Sequence, residues 1–158
     1  MKVAKIKTLL KSSKFNQVSA VQGWVKTFRA NRFISLNDGS SLENLQCVVD
    51  FDSLEESFIK RITSGAALHL EGTLVKSQGS GQTIELQVKK IKIYGDSDPE
   101  KYPIQPKKHS LEFLREKAHL RIRTSTFAAV MRVRSALSFA VHKFFQEKGF
   151  FYVNTPII

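Results

Sequence analysis

Three polar-face positions in this sequence have side chains that could hold an unpaired base. Phe33, Gln46 and Glu85 each fall within a run of alternating apolar and polar residues. Alternate side chains of a strand point to opposite faces, so each of the three lies on the polar face of its strand. An aromatic ring can stack on a base, worth roughly 1–3 kcal/mol. An amide and a carboxylate can hydrogen-bond to base edges. The trio is typical of a surface that binds single-stranded nucleic acid.

Each of these features also has an ordinary structural interpretation. An exposed phenylalanine can cover a neighbouring loop or pack against a terminal helix, and an amide and a carboxylate can simply be solvated. Three basic residues of the same region, Lys26, Arg29 and Arg32, could contact phosphates or form a solvated charged rim. Spacing alone leaves these alternatives open.

No motif of enzymatic chemistry is recognisable in the sequence. It has no Walker-type glycine loop and no HExxH, CxxC or nucleophile-elbow pattern. The histidines lack metal-ligand spacing and are interpreted as structural: His69, His109, His119 and His142. We therefore assign no catalytic residue and no metal site to this chain. Cys47 is the one cysteine, which excludes an internal disulfide and favours a reducing compartment.

The charge is strongly positive and evenly distributed. The net charge is +11, with 14 basic and 8 acidic residues in 1–95 and 11 basic and 6 acidic residues in 96–158. A broad positive field favours a polyanion, with nucleic acid first and an anionic membrane second, although a merely basic soluble protein is the plainer alternative. Because there is no apolar run of about 18 residues and no signal-peptide core, we expect a cytoplasmic protein with no membrane partner.

The elements that must position the three side chains follow from the pattern of the first 95 residues. After a short helix over 4–11, the pattern predicts five strands with a helix between the third and the fourth. The helix start is a capping box of Asp52 and Glu55. Gly23 suits the bend or bulge that a barrel needs. The predicted strands are 18–30, 32–38, 42–51, 66–76 and 83–94, and the predicted helix is 53–63.

Three strands, a helix and two strands is the order of the OB-fold, a small closed barrel that binds oligonucleotides on the face of its strands 2 and 3. The predicted fold class is therefore mainly β, with a five-stranded OB-fold barrel over residues 1–95. Residues 95–109 are polar and punctuated by prolines, and a helix is predicted at about 110–119. Residues 96–124 together are predicted to be a hinge.

The remainder, 125–158, is predicted to be the start of another domain. A helix begins near Thr124 and runs to about residue 148, with Gly149 at its C′ position, followed by an extended apolar strand. The apolar residues of this helix cover more than one stripe, so burial on more than one side is expected. That burial would suit either a central core helix or a subunit interface.

The barrel segment resembles the anticodon-binding barrel of the class IIb aminoacyl-tRNA synthetases, which comprise the aspartyl, asparaginyl and lysyl enzymes. The resemblance lies in the segments 23–29, 38–39 and 45–49 and in Phe33. It implies that Phe33 stacks on the central anticodon uridine. It further implies that Gln46 and Glu85 contribute hydrogen bonds and that Arg29 contacts the anticodon, while Lys26 and Arg32 are candidates for phosphate contacts.

Two later segments resemble the same enzymes. The amino-acid sequence of residues 109–124 is similar to that of the hinge in bacterial asparaginyl enzymes. The spacing of Gly149, Phe150, Val153 and Pro156 resembles motif 1, the dimer-forming motif of class II synthetases. This second resemblance implies the helix and strand of a truncated α+β catalytic domain. It also implies a homodimer interface, to which we assign Phe144, Phe145 and Pro156.

The resemblance implies an enzyme whose catalytic motifs lie outside this chain. The complete protein would use ATP and Mg²⁺ to activate asparagine and would transfer it to tRNA-Asn, whereas this segment alone should be inactive and should bind no cofactor. Two alternatives remain: an aspartyl enzyme fragment, and a stand-alone OB-fold module that binds tRNA or single strands. An unfinished strand at 156–158 argues against a stand-alone module. The amino-acid sequence of the hinge at 109–124 argues against the aspartyl enzyme.

Overall fold

A computed structural model describes residues 2–30, 32–50, 54–77, 79 and 81–157. The chain divides into two compact units, 1–109 and 110–158, which are described separately. The first unit contains helix α1 (Ile6–Leu10), strands β1 (Gln17–Arg29), β2 (Phe33–Asn37) and β3 (Leu45–Val49), helix α2 (Glu56–Ile59), and strands β4 (Ala67–Lys76) and β5 (Ile84–Gly95).

The five strands form a closed barrel in the order β1-β2-β3-β5-β4, which confirms the predicted OB-fold. β3 and β5 are parallel, and the other four pairs are antiparallel. The alternation predicted for the strands is confirmed because the apolar sets face inward. Fully buried side chains, each worth about 1.5–3 kcal/mol of transfer free energy, include Ile34, Leu36, Leu45, Cys47, Leu70 and Leu86.

Helix α1 is part of the barrel core. Ile6 and Leu9 are buried within the core cluster. The first turn is held by the chain after β2: the Ile6 backbone N–H donates to Asp38 Oδ2 at 2.9 Å and the Lys7 N–H donates to Ser40 Oγ at 2.9 Å. Burial alone would raise the pKa of Asp38, but the hydrogen bonds from Ser40 and from the Ile6 backbone outweigh it and lower the pKa.

A β-bulge in β1 decides which of its residues face outward. The register of β1 against β2 shifts between Val25 and Thr27, so Lys26 is an extra residue. Val25 is buried, whereas Thr27 stands opposite Ser35 on the outer face. Strict alternation from Val25 would have turned Arg29 inward, and the extra residue reverses that parity.

The bulge expected at Gly23 lies three residues further along. Gly23 pairs regularly with Leu68. A Cβ at Gly23 would lie 2.6 Å from the carbonyl oxygen of Asn37. Glycine is therefore needed there for close backbone approach and not for the bulge itself.

A second bulge lies between β4 and β5. The register shifts between Glu71 and Gly72, which face Lys90 and Val88, so Lys89 is the extra residue. A Cβ at Gly72 would overlap the carbonyl oxygen of Gln87. The close approach of the two backbones therefore requires glycine at this position.

Residues 96–109 belong to the barrel unit. The Arg61 guanidinium forms a bidentate ion pair with Asp96, in which Nε donates to Oδ1 at 2.8 Å and Nη2 donates to Oδ2 at 2.9 Å. Thr63 Oγ1 donates to the carbonyl of Ser97. The structural division lies between residues 109 and 110, within the segment 96–124 that was predicted to be a hinge. The functional limits at 95 and 124 stay predictions.

The second unit consists of helix α3 (Leu111–Glu116), a 3₁₀ turn (Arg121–Arg123) and helix α4 (Ser125–Glu147). Thr124 caps the N-terminus of α4, because its side chain accepts a hydrogen bond from the Phe127 N–H. Lys148 is the C-cap, and Gly149 follows it with φ +83° at the C′ position, as predicted. No helix within the described ranges is long and apolar enough to cross a membrane.

Three local predictions differ from the structure. The described residues 150–157 form no strand, and a strand needs a pairing partner that they do not find. α4 was expected to be buried on more than one side, yet its second half is exposed, with Leu137 61% and Phe139 70% accessible. α2 is shorter than predicted, and its N-cap Glu55 makes no side-chain cap bond. The predicted partner Asp52 lies outside the described residues, as does the predicted end of β3 at Phe51.

We expect Gly72→Ala to lower the free energy of unfolding by about 1–3 kcal/mol, because the new methyl group cannot avoid the Gln87 carbonyl without a backbone shift. Urea unfolding followed by the fluorescence of Trp24, the one tryptophan, measures the change. Gly95→Ala is the matched control, since its Cβ would meet Ala67 Cβ at an ordinary 3.8 Å. Equal stability of the two variants would contradict the assigned role of Gly72.

Candidate nucleic-acid interface

The pairing of the strands brings four predicted site residues onto one outer face of the barrel. Gln46 on β3 stands opposite Glu85 on β5, and Phe33 on β2 stands opposite Arg29 on β1. Phe33 and Gln46 lie on adjacent rows, because Phe33 pairs with Val48, two residues beyond Gln46. Neighbouring strands lie about 4.8 Å apart and diagonal neighbours about 7–8 Å. All four side chains are therefore within reach of one short stretch of a bound chain.

Phe33 provides the aromatic element of this face. Its side chain is 36% exposed at the first position of β2. It lies between Arg29 on one side and the half-buried Val48 on the other. The ring is thus supported from the flanks by its neighbours while part of its surface remains open. This arrangement suits stacking against a flat ligand.

Gln46 and Glu85 form the polar row beside the ring. Both are half-buried. Ser77 Oγ donates to Glu85 Oε2 at 3.2 Å, which fixes one carboxylate oxygen. The Gln46 amide makes no hydrogen bond to any described residue. The row therefore offers an amide, which both donates and accepts, next to a carboxylate, which accepts.

The three basic candidates have different positions. Arg29 is exposed on the same face as Phe33, and Arg32 is exposed in the β1–β2 turn, where its N–H donates to the Arg29 carbonyl at 3.1 Å. Neither guanidinium forms an ion pair within the described part of the chain. Lys26 is the bulge residue and belongs to neither row. The structure thus groups Arg29 with the site, leaves Arg32 at its edge and separates Lys26.

Further residues share the face. Thr27 and Ser35 continue the row of Gln46 and Glu85, and Gln87 continues the row of Phe33. Alternation already places Ser35 and Gln87 outward. Thr27 cannot be identified from the sequence, because the bulge that turns it outward is defined only by the pairing of β1 with β2. Nothing in the sequence signals the contact of Ser77 with Glu85.

The three residues assigned to a dimer interface lie in the second unit. Phe144 and Phe145 are exposed on α4, with ring centroids 5.5 Å apart, and Phe150 packs edge-on against Phe145 at 5.4 Å. Pro156 is exposed beyond the helix. The described residues contain no group of three or more histidine, cysteine, aspartate or glutamate side chains that could hold a metal ion.

Comparison with known proteins identifies the barrel and then the chain. Residues 20–94 match the family described as OB-fold nucleic acid binding domain. Asparagine–tRNA ligase of Parabacteroides distasonis is 52% identical over 161 aligned positions, which cover 100% of this chain and 34% of that protein. The chain spans about a third of the length of the curated relatives it matches, at their N-terminal part.

Solved structures show the same fold. Asparaginyl-tRNA synthetase from Pyrococcus horikoshii, complexed with asparaginyl-adenylate, superposes with a TM-score of 0.82 at 22% identity, over 99% of this chain and 37% of that one. A putative aspartyl-tRNA synthetase from Leishmania major superposes with a TM-score of 0.79 at 20% identity, over 98% of this chain and 34% of that one. The fold is thus common to both kinds of enzyme.

The fold and the outer face define an OB-fold nucleic acid binding domain. With homologues about 50% identical over its whole length, the chain belongs to the asparagine–tRNA ligase family. The predicted family is confirmed, and the aspartyl alternative is the more distant one.

We expect Arg29→Gln to weaken binding of a single-stranded RNA and to lower the slope of log K against log salt by about 0.7, the loss of one phosphate contact. Stability should change by less than about 0.5 kcal/mol, because the side chain is exposed. Titration at several salt concentrations measures both quantities for binding.

Arg61→Gln is the matched control, since it removes the same charge from a guanidinium that is paired with Asp96. RNA affinity and salt slope should stay at the parental values in this variant. A loss as large as that of Arg29→Gln would show that total charge, and not the outer face, determines binding.

Proposed function

We propose that this chain is the anticodon-binding part of an asparagine–tRNA ligase and that its outer barrel face reads the anticodon of tRNA-Asn. The observation that carries the proposal is the strand register, which sets Phe33 beside the row of Gln46 and Glu85. The family of the barrel binds nucleic acid, and the relatives that match the whole chain are named asparagine–tRNA ligases.

In this proposal each side chain has a separate role in holding the central uridine. The half-open ring of Phe33 stacks on the base, a sequence-tolerant contribution of roughly 1–3 kcal/mol. Uracil presents carbonyl acceptors and one N–H donor on its pairing edge. Gln46 can satisfy both kinds of group, and Glu85 accepts from a donor. Selectivity therefore comes from the polar row, and much of the affinity comes from the ring.

Positive charge supports this readout without specifying it. Arg29 and Arg32 are exposed at the edge of the face, and the chain has a net charge of +11. Cationic side chains release counterions from a phosphate backbone, which strengthens binding and accelerates encounter with any RNA. Arg29 and Arg32 would bind the phosphates of the loop, while Gln46 and Glu85 would form hydrogen bonds that discriminate between its bases.

The complete protein would attach asparagine to tRNA-Asn in the cytoplasm, with ATP as co-substrate and Mg²⁺ as the cofactor. The described residues supply no carboxylate cluster for a metal ion, so they do not fit Mg²⁺. We place that chemistry in the two thirds of the relatives' length that this chain does not cover. The contribution of this chain is to bind and position the anticodon.

The central test is a double-mutant cycle between protein and RNA. We expect Phe33→Ala to weaken binding of a tRNA-Asn anticodon stem–loop about tenfold or more, or roughly 1.4 kcal/mol. Replacement of the central uridine by an abasic nucleotide should have a similar effect. The two changes together should cost little more than either alone, because both remove the same stacked pair.

The control for this cycle is an abasic nucleotide in the stem–loop outside the anticodon, whose effect should be independent of Phe33. Titrations at one fixed salt concentration keep the electrostatic contribution constant. Full additivity of Phe33→Ala and the central abasic change would refute stacking of this residue on that base.

The homodimer is a second part of the proposal, and α4 offers the surface for it. An apolar groove on α4 is lined by Val130, Val133, Leu137 and Val141, and Phe144 and Phe145 follow on the same helix. Exposed apolar surface of this extent favours association. A symmetric partner helix would bury the same groove on both copies.

We expect the chain to self-associate and the double variant Phe144→Ser, Phe145→Ser to shift it toward monomer in sedimentation velocity runs over a range of concentrations. Phe15→Ser removes an exposed aromatic ring from the barrel unit and is the control that should leave association unchanged. A parent chain that stays monomeric at every concentration would contradict a dimer held by α4.

A further inference from the structure

The outer face that carries the candidate site continues along β5 as a positively charged strand. Beyond Glu85 and Gln87, the next exposed residues of β5 are Lys89, Lys90 and Lys92. We call these three residues the lysine track. Its members are exposed and consecutive with the site on a single strand, so the track and the site are parts of one continuous surface.

The bulge between β4 and β5 keeps the track on the same face as the site. Gln87 stands opposite Thr73 and faces outward, and Lys90 stands opposite Glu71 after the register shift. If Lys89 were a regularly paired residue and not an extra one, alternation from Gln87 would turn Lys90 inward. Lys92 follows at the next outward position, opposite His69.

The track has little internal compensation of charge. Glu71 is the acidic side chain beside it, and its carboxylate already lies 3.2 Å from His69 Nε2 as well as 3.9 Å from Lys90 Nζ. The Lys90 side chain remains 79% exposed. Ion pairs as exposed as this one are weak, so the ammonium group of Lys90 remains available to another anion.

An aromatic residue, Tyr94, lies at the end of the lysine track. Tyr94 is 54% exposed, and its hydroxyl accepts from Gln22 Nε2 at 3.3 Å. Lys92 Nζ lies 5.3 Å from the centre of its ring, and the ring of His69 lies 5.7 Å away. Contacts on three sides hold the tyrosine and its neighbouring ammonium in defined positions, as a binding surface requires.

The dimensions fit a phosphate backbone. The eight residues from Gln87 to Tyr94 cover seven steps, or about 23 Å at about 3.3 Å per residue. A nucleic-acid strand carries one charge per roughly 3.4 Å of axis, so several successive phosphates can face such a track. The track lacks an open amide row like that of Gln46, so it provides charge rather than base readout.

We propose that the lysine track binds backbone phosphates of the RNA stem that carries the loop read at Phe33. This inference rests on the proposed function, since it assumes that an anticodon loop occupies the neighbouring site. The partner is double-stranded RNA joined to that loop, recognised through its charge and independently of its sequence. The track thereby orients the stem relative to the barrel.

The test compares two triple variants on two RNAs. Lys89→Gln, Lys90→Gln and Lys92→Gln together remove the track. Lys2→Gln, Lys5→Gln and Lys7→Gln remove the same charge from exposed positions of the N-terminal segment. Each protein is titrated between about 50 and 200 mM salt with the anticodon stem–loop and with the loop sequence alone as a single strand.

We expect the track variant to reduce the salt slope for the stem–loop by about 2.7, which corresponds to three lost phosphate contacts at about 0.9 each on a duplex. The slope for the loop strand should not change. The control variant should leave the difference between the two RNAs unchanged. A triple replacement of the track by arginine should restore the slope, because it restores the charge, and a circular dichroism melt shows that each variant is folded.

Three outcomes would overturn the inference: an unchanged stem–loop slope in the track variant, an equal loss on both RNAs, or an equal loss in the control variant. Failure of the proposed function would appear separately. In that case replacing the central uridine of the stem–loop would leave the affinity of the parent chain unaltered, whatever the track does.

Discussion

The register of β1 against β2, with one extra residue at Lys26, is the constraint on which the candidate site depends. A strand has only two faces, so a single inserted residue exchanges them for everything that follows. Before the bulge Val25 points into the core, and after it Arg29 points outward beside Phe33. If Lys26 instead paired regularly with β2, alternation from Val25 would turn the arginine inward and break the cationic edge of the face.

The second bulge has the same consequence on β5. It lets one strand contribute Glu85 to the polar row and Lys90 to the outward surface beyond it. Gly72 makes this register possible, because any side chain there would collide with the backbone of β5. The barrel core and the outer face are thus coupled: the residues that permit close packing inside determine which side chains reach a ligand outside.

Much of the barrel could be predicted from its sequence, and the exceptions share a physical cause. β3 alternates throughout and β2 alternates from Phe33 to Leu36, so parity alone places Phe33 and Gln46 correctly on the outer face. β1 could not be treated in this way, because an extra residue is defined only by a partner strand. For that reason parity does not identify Thr27, and it predicts the bulge at Gly23, where the lack of a side chain instead permits a close contact with the backbone of Asn37.

Tertiary context limits the other predictions. The helix caps at Thr124 and Gly149 are local, and both were predicted correctly. A strand after Gly149 and a covered α4 require partners, which the described residues do not supply. The hinge predicted over 96–124 stays a prediction. Its first part is held to the barrel unit by the Arg61–Asp96 pair, which no local pattern reveals.

The most direct measurement of the central claim is photo-crosslinking of the chain to an anticodon stem–loop that carries 5-iodouridine at the central anticodon position, followed by mapping of the crosslinked peptide. A halogenated base crosslinks preferentially to the aromatic ring on which it stacks. We expect a crosslink at Phe33 that disappears in Phe33→Leu. A crosslink at Trp24 or Tyr94 instead would show that the base lies elsewhere on the barrel and would contradict the site assigned to Phe33, Gln46 and Glu85.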